Sequence, residues 1–141
     1  MHIRDIMNPD IEMISASTSI KDAASKMEQQ HIGFLVVGDN QQLLGTLTDR
    51  DIVLRAVSKG KNMATTKVGD IVSQQVLCCE DSQPVEEVAR HMSDEQVRRM
   101  PVVNSNRELL GVISIGDLAQ HLAPELVGEV LKGVTQDRKA A

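Results

Sequence analysis

Gly45-Thr46-Leu47-Thr48-Asp49-Arg50-Asp51 returns 66 residues later as Gly111-Val112-Ile113-Ser114-Ile115-Gly116-Asp117, and this recurrence decides how the chain is read. The match continues on both sides. Val68-Gly69-Asp70-Ile71-Val72 answers Ile3-Arg4-Asp5-Ile6-Met7, and Met100-Pro101-Val102 answers Leu35-Val36-Val37, both at an offset of 65. From Leu43-Leu44-Gly45 against Leu109-Leu110-Gly111 the offset is 66, so one residue was inserted in the stretch where Gly38–Gln42 stands against Val103–Glu108. That stretch is polar and turn-like, where an insertion does least harm. Two copies related in this way are expected to pack about a pseudo-two-fold axis and to form paired, equivalent clefts.

Each copy reads as β-α-β-β-α, an α+β unit. A short opening (Ile3 to Met7, Val68 to Val72) leads to a brief apolar strand at Met13-Ile14 or Leu77-Cys78-Cys79. The spacing of Ile20, Ala23, Ala24 and Met27 predicts a helix from about Ser19 to Gln30 with one buried face. Val85, Val88, Ala89 and Met92 predict its counterpart, starting near Pro84, which suits a first helical turn. Strands are expected at Gly33–Val37 and Leu43–Thr48, and again at Met100–Val103 and Leu109–Ser114. A second helix opens at Asp49 or Ile115. It carries Ile52, Val53, Ala56 and Val57 in one copy, and Leu118, Ala119 and Leu122 in the other. The expected organisation is therefore repeat 1 over 1–57, a polar linker over 58–66, repeat 2 over 67–122, and a C-terminal helix from Pro124 with a frayed, charged tail within 123–141. One repeat of about 55 residues buries too little surface to stand alone, whereas two packed together bury enough.

Composition narrows the function. With 141 residues, 41% of them apolar, the chain can build a core without disulfides. Its two cysteines, Cys78 and Cys79, are adjacent and so point to opposite faces of a strand, which argues against a bridge between them and suits a reducing cytoplasm. A net charge of -5 and a single aromatic residue, Phe34, argue against a nucleic-acid surface that stacks bases. No run is long enough to span a membrane. The four histidines show no metal-ligand spacing, and no nucleophile motif, carboxylate pair or Gly-rich phosphate loop is present, so neither a catalytic nor a metal site is expected.

The duplicated heptapeptide has two readings. Thr48 and Ser114 each stand where a strand ends and a helix begins, with an aspartate three residues on. That is the spacing of a capping box, with Asp51 and Asp117 favouring the positive helix end. The same hydroxyl and backbone N–H groups also suit a phosphate, while an ionised aspartate one turn in can accept from both hydroxyls of a ribose.

The arrangement resembles a tandem pair of CBS domains, a Bateman module, over residues 3 to 122. The resemblance is carried by Leu47-Thr48-Asp49-Arg50-Asp51-Ile52-Val53 and Val97-Arg98-Arg99-Met100-Pro101-Val102-Val103. It implies two clefts between the repeats that hold an adenosyl ligand: AMP, ADP or ATP, ahead of S-adenosylmethionine or NAD. In this reading Asp51 and Asp117 bind ribose, and Thr48 and Ser114 bind phosphate. Arg98 and Arg99 stand at positions resembling phosphate-contacting residues of the AMP-activated kinase gamma subunit, whereas the first repeat offers Gly33 and Phe34 there. Arg99, with Arg98 behind it, is assigned to the cleft carrying Asp51 and Thr48. The alternative is that both arginines cap a strand end in solvent. Ile14 and Ala16 at one cleft and Cys79 at the other are candidate adenine walls, with backbone at Gly33-Phe34 or Arg98-Arg99. Val36 stands where many members carry the proline that Pro101 supplies, and Gly116 replaces the charged residue matched by Arg50.

The reading that results is a non-catalytic, cytoplasmic sensor that dimerises through its helices and signals to an unidentified protein partner. The alternative is a structural or interaction module with empty clefts, in which the four motif residues act only as caps.

Overall fold

The computed structural model describes residues 1–73 and 76–136, so most of the expected frayed tail lies outside the described residues. The chain forms two compact units that do not follow the sequence repeats. One is Glu12–Val76. The other combines Met1–Ile11 with the chain from Leu77 onward. They are called below the first-repeat unit and the second-repeat unit. The opening turn of each repeat belongs to the core of the other repeat's unit. Val68 and Ile71 are buried among first-repeat residues, and Ile3 and Ile6 among second-repeat residues.

In the first-repeat unit a three-stranded sheet has β1 (Met13–Ile14) parallel to β2 (Phe34–Asp39), which is antiparallel to β3 (Gln42–Thr48). α1 (Ile20–Gln30) begins where Ser19 Oγ accepts from the Asp22 N–H at 3.1 Å, and of the predicted face it buries Ile20, Ala23 and Met27 while Ala24 is exposed. It ends at His31, which takes a left-handed conformation (φ 55°) usually left to glycine. α2 (Asp49–Ile52) runs on as a π-helical turn, Val53–Val57, so that Ile52 and Ala56 are buried while Val53, Leu54 and Val57 are exposed.

The second-repeat unit repeats the plan with β4 (Cys79–Glu80), α3 (Val85–Glu95), β5 (Arg99–Val103), β6 (Leu109–Ser114) and α4 (Ile115–Ala119). Its sheet has the same order and directions. Two boundaries differ from expectation. β4 begins at Cys79 rather than Leu77, because parallel pairing starts at Cys79 with Val102. Pro84 has extended ψ (143°) and precedes α3 instead of forming its first turn. α5 (Pro124–Val134) then packs Val130 and Val134 into this unit's core.

The one-residue offset lies in the hairpin loops. β2 and β3 join through Asn40 and Gln41, both at positive φ (48° and 65°), the signature of a two-residue turn. β5 and β6 use a longer loop that the Asn104 carboxamide ties together, accepting from the N–H groups of Asn106 (2.9 Å) and Glu108 (3.0 Å). Among the described residues no helix is long and apolar enough to cross a membrane.

Candidate functional site

Both copies of the motif make the same corner. β3 ends at Thr48, whose Oγ1 accepts from the Asp51 N–H at 3.0 Å while the Thr48 N–H donates to Asp51 Oδ2 at 2.9 Å. β6 ends at Ser114, whose Oγ accepts from the Asp117 N–H at 3.1 Å while the Ser114 N–H donates to Asp117 Oδ2 at 2.9 Å. These are complete capping boxes, so the structural half of the sequence reading is present in both units. In each pair the bonds engage one aspartate oxygen with the backbone. Asp51 Oδ1 also has the Arg55 guanidinium 3.9 Å away, and all four residues remain partly solvent-accessible.

The strand facing each corner brings the next candidates in. Phe34 pairs with Thr48, and Arg99 pairs with Ser114. The Gly33 carbonyl accepts from the Asp49 N–H and the Arg98 carbonyl from the Ile115 N–H, both at 3.0 Å. Arg98 and Arg99 are exposed beside the Ser114–Asp117 corner of their own unit. A Cβ on Gly33 would lie 2.6 Å from Asp49 Oδ2, a contact that a turn of the exposed Asp49 side chain relieves.

The candidate adenine walls divide. Ile14 and Cys79 occupy equivalent sites, pairing with Val37 and Val102, and both are buried in their units' cores. Burial pushes the Cys79 thiol pKa up to about 12, and its Sγ lies 3.7 Å from the Pro101 carbonyl oxygen. Ala16 is partly buried, and its carbonyl accepts from the Gly69 N–H at 2.8 Å.

The corners are not electrostatically equal. At the first, the Asp49 carboxylate accepts from the Arg50 N–H at 2.8 Å, and Arg55 approaches Asp51. At the second, Ile115 and Gly116 bring neither a carboxylate nor a long side chain, and His121, the counterpart of Arg55, turns its ring to the Asp117 carbonyl at 3.0 Å. Arg55 went unremarked in the sequence. Its signal is an Asp-to-Arg spacing of four along the helix.

Comparison with known proteins agrees with this architecture. The CBS domain family matches residues 3–58 and 68–124. CBS domain-containing protein YhcV of Bacillus subtilis (strain 168) is 31% identical over 134 residues, covering 94% of each chain. Among solved structures, Hypoxic Response Protein I with two coordinated zinc ions superposes with a TM-score of 0.80 at 32% identity, over 86% of this chain and 99% of that one. CBSX2 in complex with AMP gives a TM-score of 0.73 at 27% identity, over 84% and 93%. Among the described residues here, no three His, Cys, Asp or Glu side chains come together as a metal site. Two matched repeats, two identical strand-to-helix corners and relatives along nearly the whole chain place this protein in the CBS domain family, as a tandem pair of CBS domains.

Proposed function

We propose that the chain is a non-catalytic regulatory module of the cytoplasm that binds an adenine nucleotide at its Thr48–Asp51 and Ser114–Asp117 corners. The observation that carries this is the geometric identity of the two corners: each presents a hydroxyl and a carboxylate, partly accessible, at the start of a helix. A carboxylate oxygen suits the two hydroxyls of a ribose, and a hydroxyl beside backbone N–H groups suits phosphate. The AMP complex of CBSX2, a relative by fold and sequence, supports the ligand class. Arg98 and Arg99 add positive charge near a phosphate, and Gly33, Phe34 and Ala16 supply backbone and apolar contact. Output passes through self-association, as a homodimer, or through a protein partner that prefers the liganded form.

Titration calorimetry with AMP and with adenosine tests the assignment. AMP binds and adenosine binds at least about tenfold more weakly, a difference of about 1.4 kcal/mol from the phosphate. Ser114→Ala and Thr48→Ala narrow that difference. Equal affinity for both ligands in the wild type sinks the phosphate role.

A specific observation favours a second reading. The capping bonds already use the Thr48 and Ser114 hydroxyls as acceptors and one oxygen of each aspartate. In that reading the four residues only hold helices, and the chain is an interaction module without a nucleotide.

A further inference from the structure

The two corners share their capping bonds and differ in what faces the remaining aspartate oxygen. Asp51 Oδ2 accepts from the Thr48 N–H and Asp117 Oδ2 from the Ser114 N–H, both at 2.9 Å, which leaves each Oδ1 for a ligand. Asp51 Oδ1 has a cation beside it, the Arg55 guanidinium at 3.9 Å. Among the described residues no Lys, Arg or His side chain forms an ion pair with Asp117.

The difference begins in the helix backbone. After Asp51 the helix of the first-repeat unit widens into the π-turn Val53–Val57, closed by the Ser58 N–H donating to the Val53 carbonyl at 3.0 Å. The helix after Asp117 tightens instead. There the Gln120 N–H donates to the Asp117 carbonyl at 3.3 Å, and the His121 N–H to the Leu118 carbonyl at 3.1 Å. Arg55 leaves the wide turn and reaches two ways: one guanidinium nitrogen donates to the Ile71 carbonyl at 3.0 Å, and the other faces Asp51. His121, at the same place in the repeat, leaves the tight turn with its Nδ1 3.0 Å from the main-chain carbonyl of Asp117.

The bond to Ile71 decides how Arg55 acts. A guanidinium loose in solvent turns aside at little cost, whereas one held at Ile71 stays beside the corner. A ribose hydroxyl donates its proton to a carboxylate, so it competes with the guanidinium for the Oδ1 lone pairs and meets a charge already partly neutralised. The Arg55 side chain is 46% exposed, so solvent screens the pair. A screened pair of this kind is worth about two- to fivefold in an equilibrium constant.

We propose that Arg55 is a specificity-determining residue that makes the Thr48–Asp51 corner the weaker of the two nucleotide sites, so that the Ser114–Asp117 corner fills first. The inference rests on the nucleotide reading above and adds an order of filling to it. Two sites that fill in order respond over a wider range of nucleotide concentration than two equal ones.

Titration calorimetry with AMP tests it on single-corner proteins. Asp117→Ala leaves the first corner and Asp51→Ala the second, and thermal melting checks that every variant folds. The first corner binds AMP at least about twofold more weakly than the second. Adding Arg55→Met to Asp117→Ala tightens binding about two- to fivefold, and adding Arg55→Lys, which keeps the charge, does so less. Adding Arg55→Met to Asp51→Ala leaves the affinity unchanged. A purely structural Arg55 would give no gain in affinity at either corner. If Arg55→Met leaves AMP binding at the first corner equal or weaker, the inference is overturned while the nucleotide reading stands, and weaker binding makes Arg55 a ligand contact instead. Failure of AMP to bind any of the proteins, wild type included, overturns the nucleotide reading and this inference together.

Discussion

The Arg55 guanidinium stands 3.9 Å from the Asp51 carboxylate, on the same helical stretch, and donates to the Ile71 carbonyl at 3.0 Å. One side chain thus links the motif corner to the opening turn that repeat 2 contributes to this unit. The counterpart, His121, bonds instead to the Asp117 carbonyl of its own helical turn at 3.0 Å. Arg55 is about half exposed, so the charge pair is screened and the hydrogen bond to Ile71 is the larger part. Arg55→Met is expected to cost about 1 kcal/mol in urea unfolding, and His121→Met under about 0.5 kcal/mol. Equal costs contradict this account of Arg55.

Gly111 reports on the exchanged N-terminal segment. Asn8 and Val112 bond to each other through both backbone groups at 2.9 Å, and a Cβ on Gly111 would lie 2.4 Å from the Asn8 carbonyl oxygen. The equivalent Cβ on Gly45 would meet a Val72 methyl at 2.7 Å, which can turn aside, and the Ser73 carbonyl oxygen only at 3.0 Å, a looser backbone approach than that of Asn8. Gly111→Ala should therefore destabilise by about 1–3 kcal/mol, and Gly45→Ala by less. Denaturant midpoints order the two variants, and a Gly111→Ala protein as stable as wild type would falsify the close packing of Asn8.

The adjacent cysteines should behave differently. Cys79 is 2% exposed with its thiol pKa raised from 9.0 to about 12 by burial and, less, by Cys78, which is partly accessible. Native alkylation should label Cys78 first, with Cys79 reacting only on unfolding. The linkage sign follows from the raised folded value. Cys79 remains protonated in the folded state while the unfolded thiol ionises, so its contribution is intact below about pH 8.5 and falls as pH rises toward 12. The stability gap between wild type and Cys79→Ala should shrink by up to about 1.4 kcal/mol per pH unit above about pH 9. A gap independent of pH in that window contradicts the burial of the thiol.

Much of this was legible because a repeat is read twice. The spacing Ile20, Ala23, Met27 and the Thr48/Ser114 corners specify element type locally, through helical period and cap chemistry, and the structure contains them. The exchange of opening turns was not legible. Ile3 and Val68 look alike in sequence, and nothing local distinguishes packing on one's own repeat from packing on the other. The β4 boundary moved because it depends on a parallel partner strand far along the chain. Ile14 and Cys79 show the limit of reading a site. An apolar residue next to a motif has the same sequence signature whether it lines a ligand or fills a core, and here both are buried in cores.

The most direct test of the nucleotide reading is dye-based thermal melting of wild type, Asp51→Ala, Asp117→Ala and the double variant with AMP, ADP, ATP, NAD and S-adenosylmethionine. Dye is required because the chain has neither tryptophan nor tyrosine. Ligand at about a hundred times its dissociation constant adds about 2.7 kcal/mol, a rise of several degrees for a protein of this size. The account predicts such a rise for an adenine nucleotide in the wild type and its loss in the double variant, whose ligand-free melting temperature falls only by the cost of lost caps, about 1 kcal/mol each. No rise with any of the five, or a rise that survives removal of both aspartates, would contradict it.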